Sequence, residues 1–163
     1  MKNAYWETDF SIPIEQRIRN YYNSVTEDEA YEGFDTSPLK NTRFASACSS
    51  SRIVVWEFRV QQALCNKDGN MHGGAVSTLF DNLTSTALYT VSRPGFWDGL
   101  GVSRSLIVHF FRSIPRGALI RLECKVISTG KKMAMVEGKM KTVDGALCAS
   151  ALHEKVWTGS LQL

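Results

Sequence analysis

From Arg52 onward the chain alternates. Val54, Trp56, Phe58 and Val60 oppose Val55, Glu57, Arg59 and Gln61, the signature of a half-buried strand over about 52–61. Ala75, Val76, Leu79, Phe80, Leu83, Ala87, Leu88 and Val91 then follow helical spacing, which predicts a helix of about five turns ended near Arg93-Pro94-Gly95. Four more strands are expected over about 103–112, 118–128, 133–143 and 147–156, with Val143-Asp144-Gly145 as a tight turn. Short connections make the last three an antiparallel meander. The order strand, long helix, four strands is an α+β arrangement. The helix is apolar over a wide face, and it can bury that face only if the sheet curls around it.

Upstream the pattern differs. Ile14, Ile18, Tyr21, Tyr22 and Val25 predict a short helix over roughly 13–25. The polar stretch from Glu27 to Ser51 reads as an irregular arm or short helical turns. We therefore divide the chain into an N-terminal helix and arm, 1–51, and a main domain, 52–163.

The most chemical stretch is Asn66-Lys67-Asp68-Gly69-Asn70-Met71-His72-Gly73-Gly74, followed by Asp81 within the helix. Bare glycine N–H groups at a helix start receive negative charge. A carboxylate two turns inside is expected to be buried by its apolar neighbours, and burial disfavours its charged form. An anion-stabilising turn beside an embedded carboxylate suggests hydrolysis of an acyl compound.

Composition narrows the alternatives. The 163 residues are 44% hydrophobic and 21% charged, a globular balance, and the net charge of +3 does not demand nucleic acid. Cys48, Cys65, Cys124 and Cys148 lack metal or redox spacing and read as free thiols. His72, His109 and His153 lie far apart, so no metal site is expected. Gly99-Leu100-Gly101 does not complete a nicotinamide fingerprint. The opening residues carry Glu7 and Asp9 and lack a signal-peptide core, and Ser160-Leu161-Gln162-Leu163 does not read as a peroxisomal address. A soluble intracellular protein is expected, cytoplasmic first, with mitochondria left open.

Asn66-x-x-Gly69-x-x-His72-Gly73-Gly74, then Asp81-Asn82, Gly101-Val102-Ser103 and Ser128-x-Gly130-Lys131 together resemble the hotdog-fold acyl-CoA thioesterases of the PaaI type, over about residues 52–157. The resemblance implies a hotdog fold, a curved antiparallel sheet of five or six strands around one central helix. It implies a homodimer or dimer of dimers, with Asn66, His72 and Gly73 from one subunit and Asp81 and Ser103 from the other. Asp81 would be general base or nucleophile, the Gly73 N–H the oxyanion donor, and Ser103 a holder of water; Asn66 would orient water or the carbonyl, and His72 would brace the loop or touch the thioester. Gly74, Lys131, Lys132, Arg112 and Arg116 are candidates for binding substrate, the cations at the nucleotide end of coenzyme A. No cofactor is needed, since coenzyme A is part of the substrate. Trp97-Asp98 and Arg104 depart from the pattern and are expected to reshape the acyl pocket. Release of an acyl chain from carrier protein and non-catalytic acyl-CoA binding are the alternatives.

Overall fold

The computed structural model describes residues 8–159; the leading residues read above for a signal peptide in part, and Ser160–Leu163 wholly, lie outside them. In chain order the elements are α1 (Ile14–Thr26), α2 (Thr36–Leu39), β1 (Thr42–Cys48), β2 (Ile53–Arg59), α3 (Gly73–Ser85) continued by a 3-10 segment (Thr86–Thr90), β3 (Val102–Phe110), β4 (Leu119–Thr129), β5 (Met133–Thr142) and β6 (Leu147–Val156). The strands form one six-stranded sheet in the order β1-β2-β4-β5-β6-β3, every neighbouring pair antiparallel.

The central helix runs 18 residues from Gly73 to Thr90. Its first part packs on β3, β4, β5 and β6, and its 3-10 part on β1, β2 and β4, so the sheet wraps the helix as the hotdog fold requires. The helix tightens where hydroxyls bond back onto it. Thr84 donates to the Phe80 carbonyl, Ser85 to Asp81, Thr86 to Leu83 and Thr90 to Ala87. Leu79, Phe80, Leu83, Ala87 and Leu88 are fully buried. α1 packs on the 3-10 segment and buries Ile18, Tyr21 and Val25. Two of the four free cysteines, Cys124 and Cys148, are buried as small apolar groups.

One stretch differs from the expected irregular arm. Residues 42–48 form β1, paired along β2 from Thr42↔Phe58 to Cys48↔Ile53. Its alternation is faint because Ala45, Ala47 and Ser46 are small and the register shifts between Phe44 and Ser46. Only Thr42 and Phe44 are buried, and Phe44 meets Trp56 edge-on with ring centroids 5.6 Å apart.

The helix sits close to β5. A Cβ added at Gly138 would lie 2.6 Å from Phe80 Cδ1 and 2.9 Å from Thr84 Cγ2. Gly138→Ala should therefore destabilise the protein by about 1–3 kcal/mol, through overpacking of the seam that carries Asp81. Chemical denaturation checks this; an unchanged midpoint would contradict it.

Candidate active site

Two groups of site residues form, one at each end of β3. The first surrounds the start of α3. His72 is its N-cap: backbone ψ is 137°, and Nδ1 accepts the Gly74 N–H at 2.9 Å. Asn66 Oδ1 accepts the N–H groups of Asp68 and Asn70, both at 3.1 Å, which folds the loop into an Asx turn. The Gly73 N–H, at the first helical position, has no intrahelical partner and makes no hydrogen bond among the described residues. It opens onto a cleft of about 340 Å³ lined by Asn66, Phe110, Phe111 and Arg112.

Of the predicted cations, Arg112 therefore lies beside Asn66 and Gly73. Its guanidinium donates to the Leu147 carbonyl, and that of Arg116 to Gln62 Oε1. Lys131 and Lys132 lie elsewhere, exposed in the turn between β4 and β5.

The second group lies at the other end of β3. Ser103 Oγ donates to Asp81 Oδ1 at 2.7 Å. It also lies 2.9 Å from His153 Nε2 and 3.3 Å from Lys155 Nζ. His153 Nδ1 meets Thr84 Oγ1 at 2.7 Å, and Lys155 Nζ donates to Ser85 Oγ at 2.9 Å. A carboxylate, a hydroxyl, an imidazole and an ammonium thus form one continuous network.

A β-bulge builds it. Ser103 stands opposite Lys155 and Leu106 opposite His153, four residues on β3 spanning three on β6. Without an extra residue, Ser103 and Leu106 would point to opposite faces of the sheet. The inserted residue between the paired serines is Arg104, which the sequence marked as a departure. Its guanidinium lies 4.0 Å from Glu154. Trp97 and Asp98 also differ from expectation: neither lines the clefts at Asp81. Buried Trp97 donates to the Gly130 carbonyl, and Asp98 accepts from Trp157 and Gly95, so both fix the loop leading to β3.

The expected burial of Asp81 is not found; its side chain is 46% exposed because it faces two open clefts. Its partners are the buried groups. His153 is fully enclosed and its pKa is pushed down to about 4, first by burial and then by the charge of Lys155, against the pull of Asp81. Lys155 is 4% exposed, and burial lowers its pKa to about 8, opposed by the attraction of Asp81. At neutral pH the cluster holds a neutral imidazole beside an ammonium.

Neither His153 nor Lys155 was expected here. The parity of β6 carries the signal: Ala149, Ala151, His153 and Lys155 share its buried face, so the apolar run ends in two polar side chains. The N-terminal segment joins the site too. Tyr21 lines the smaller Asp81 cleft, of about 180 Å³. Tyr31, Phe34 and Asp35 wall the larger one, of about 460 Å³.

Known proteins share this architecture. The thioesterase superfamily profile matches residues 68–149. Acyl-coenzyme A thioesterase 13 of Mus musculus is 29% identical over 125 residues, which is 76% of this chain and 84% of that protein. The crystal structure of zebrafish thioesterase superfamily member 2 superimposes with a TM-score of 0.74 at 22% identity, covering 86% of this chain and 96% of the other. A hypothetical thioesterase from Streptococcus pneumoniae, solved with coenzyme A, gives 0.67 at 18% identity, covering 78% and 94%. With its one-helix, six-strand wrap and the match through helix and sheet, the chain belongs to the thioesterase superfamily, as a thioester hydrolase with the hotdog fold of the PaaI-like enzymes.

Proposed function

We propose that the protein hydrolyses an acyl-CoA thioester to a free acid and coenzyme A, in a site shared by two copies of the chain. The observation that carries this is the separation of the two groups along β3. Gly73 and Asp81 are eight residues apart on one helix, which places them about 12 Å apart along its axis. An oxyanion donor stands about 3 Å from the carbonyl oxygen, and a base acting through one water about 6 Å from the carbonyl carbon. A span this long favours the two groups serving different thioesters.

A two-fold axis resolves this. β3 is an edge strand, and Ile107 and Phe110 on it, Phe111 just past its end and Leu152 beside it are exposed. An apolar open edge is a surface for a second chain. Antiparallel pairing of two such edges brings the Phe110 end of one against the Val102 end of the other. The Gly73 cleft of one subunit then meets the Asp81 network of its partner, and Arg112 approaches the partner's turn that carries Lys131 and Lys132.

In this reading Asp81 takes the proton of the attacking water, or attacks the carbonyl itself, and Ser103 holds the water. The Gly73 N–H receives the charge that builds on the thioester oxygen. Asn66 offers its Nδ2 donor to the carbonyl region, its Oδ1 being engaged in the loop. His72 acts through the loop and helix start that it caps, and Gly74, lacking a side chain, leaves room for the His72 ring over its N–H. The lysines and arginines take the phosphates of coenzyme A. The arm walls the acyl end with Tyr31 and Phe34.

A panel of acyl-CoA thioesters read with a thiol-reactive dye tests this. Turnover of at least one acyl class is expected. Tight binding of the panel without thiol release would sink the hydrolytic reading in favour of a binding protein. The same acyl chain on carrier protein tests the alternative thiol; preference for that form would move the natural substrate there.

A further inference from the structure

We propose that Lys155 is a positioning residue for hydrolysis, whose buried ammonium aims the single proton of Ser103 at Asp81. The inference rests on Asp81 being the reacting carboxylate.

Ser103 Oγ has one proton to give and two lone pairs to receive with. Three groups surround it: Asp81 Oδ1 at 2.7 Å, His153 Nε2 at 2.9 Å and Lys155 Nζ at 3.3 Å. An ammonium has donors only. It therefore claims a lone pair of Ser103, and its charge turns the oxygen end of the hydroxyl dipole toward itself and the proton toward the carboxylate. Thr84 gives its one proton to the Phe80 carbonyl, so His153 donates from Nδ1 to Thr84, and its bare Nε2 is a rival acceptor for the Ser103 proton that the carboxylate, the stronger acceptor, outcompetes. A neutral amine would behave differently. It can accept, and so could draw the Ser103 proton away from Asp81.

The ammonium is held for this orientation at a cost in stability. It lies enclosed at 4% exposure, and its second protein partner is the Ser85 hydroxyl, which is itself directed onto the Asp81 carbonyl. The ionisable groups facing the pair are Asp81 from α3, His153 from β6 itself and Tyr21 from α1, which lines the same cleft. Among these only Asp81 carries a compensating charge at neutral pH. Burial holds the Lys155 proton more loosely than in the unfolded chain, with a pKa of about 8 against an ordinary 10.5. The unfolded chain binds that proton more tightly, so this group makes stability rise as pH climbs from about 8 toward 10.5.

Lys155→Met, Lys155→Arg and Asp81→Asn, compared as full-length proteins, test the proposal. For wild type, kcat should decline as pH passes about 8, where Lys155 loses its proton. Lys155→Met should lower kcat on the order of tenfold to a hundredfold, the worth of a charge-assisted hydrogen bond, with KM little moved and the decline near pH 8 gone. Its thermal midpoint at pH 7 should hold or rise, since the cost of burying an ammonium is removed. Lys155→Arg, which stays charged, should keep more of the rate than Lys155→Met and also lose the alkaline decline. Wild-type kcat and an unchanged pH profile in Lys155→Met would overturn the proposal. If that variant fails to fold, an alkaline decline retained in Lys155→Arg would overturn it as well. Full activity of Asp81→Asn would instead remove the reading on which the proposal stands, whatever the lysine variants do.

Discussion

Asp81→Asn is expected to fold like the parent and to lose hydrolysis by about 10²- to 10⁴-fold, the range of a general base. Asparagine matches the shape of aspartate, and its amide oxygen can still accept from Ser103, so the 2.7 Å contact that ties β3 to α3 has a replacement. What it cannot do is take a proton or attack a carbonyl. Asp81 is half exposed and its carboxylate makes no backbone contact, but it is the charge that faces the buried Lys155 ammonium, so its loss leaves that ammonium uncompensated. The activity loss should fall on kcat with KM close to wild type, and the thermal midpoint should drop modestly at neutral pH. Steady-state kinetics on a good acyl-CoA decides it, and wild-type turnover would remove Asp81 from the chemistry.

Gly73→Pro should cost about 10²- to 10³-fold, the value of one oxyanion donor. The substitution suits the position unusually well. Gly73 is the first residue of α3, where proline is tolerated because no intrahelical bond is lost. The preceding His72 has ψ 137°, the extended conformation that a following proline requires. A Cβ at this position would lie 3.5 Å from Phe110 Cζ, an ordinary contact. The variant thus deletes one N–H and leaves the fold in place. Gly73→Ala, which keeps that N–H and adds the same Cβ, is the control and should lose much less. Equal losses in the two would assign the effect to crowding of the cleft, against an oxyanion role.

Much of this fold was legible because its signals are local. The periodicity from Ala75 to Val91 and the alternation of β2, β4, β5 and β6 come from faces that bury one side of an element, and burial repeats with the geometry of the backbone. β1 was not, because Ala45, Ser46 and Ala47 interrupt its alternation at a register shift and an edge strand needs few apolar residues. The motif residues were legible as chemistry, but their arrangement was not. Asp81 was expected inside an apolar wrap, whereas the helix turns it toward open clefts. Ser103 reaches it only because the bulge at Arg104 changes the parity of β3, a property of the strand pair and not of either strand. His153 and Lys155 stayed hidden for a related reason. They are distant in sequence from the His-Gly-Gly stretch, and only the pairing of β6 with β3 makes them neighbours of Ser103.

The central claim is that Asp81 of one subunit serves the Gly73 of its partner, and subunit mixing tests it most directly. Asp81→Asn and Gly73→Pro, each nearly inactive alone, are carried on different affinity tags, unfolded together in equal amounts and refolded. Half of the resulting dimers are mixed, and each mixed dimer holds one intact site of two, so activity should recover to about a quarter of wild type. Mixed dimers captured through both tags, yet as inactive as their parents, would contradict the shared site.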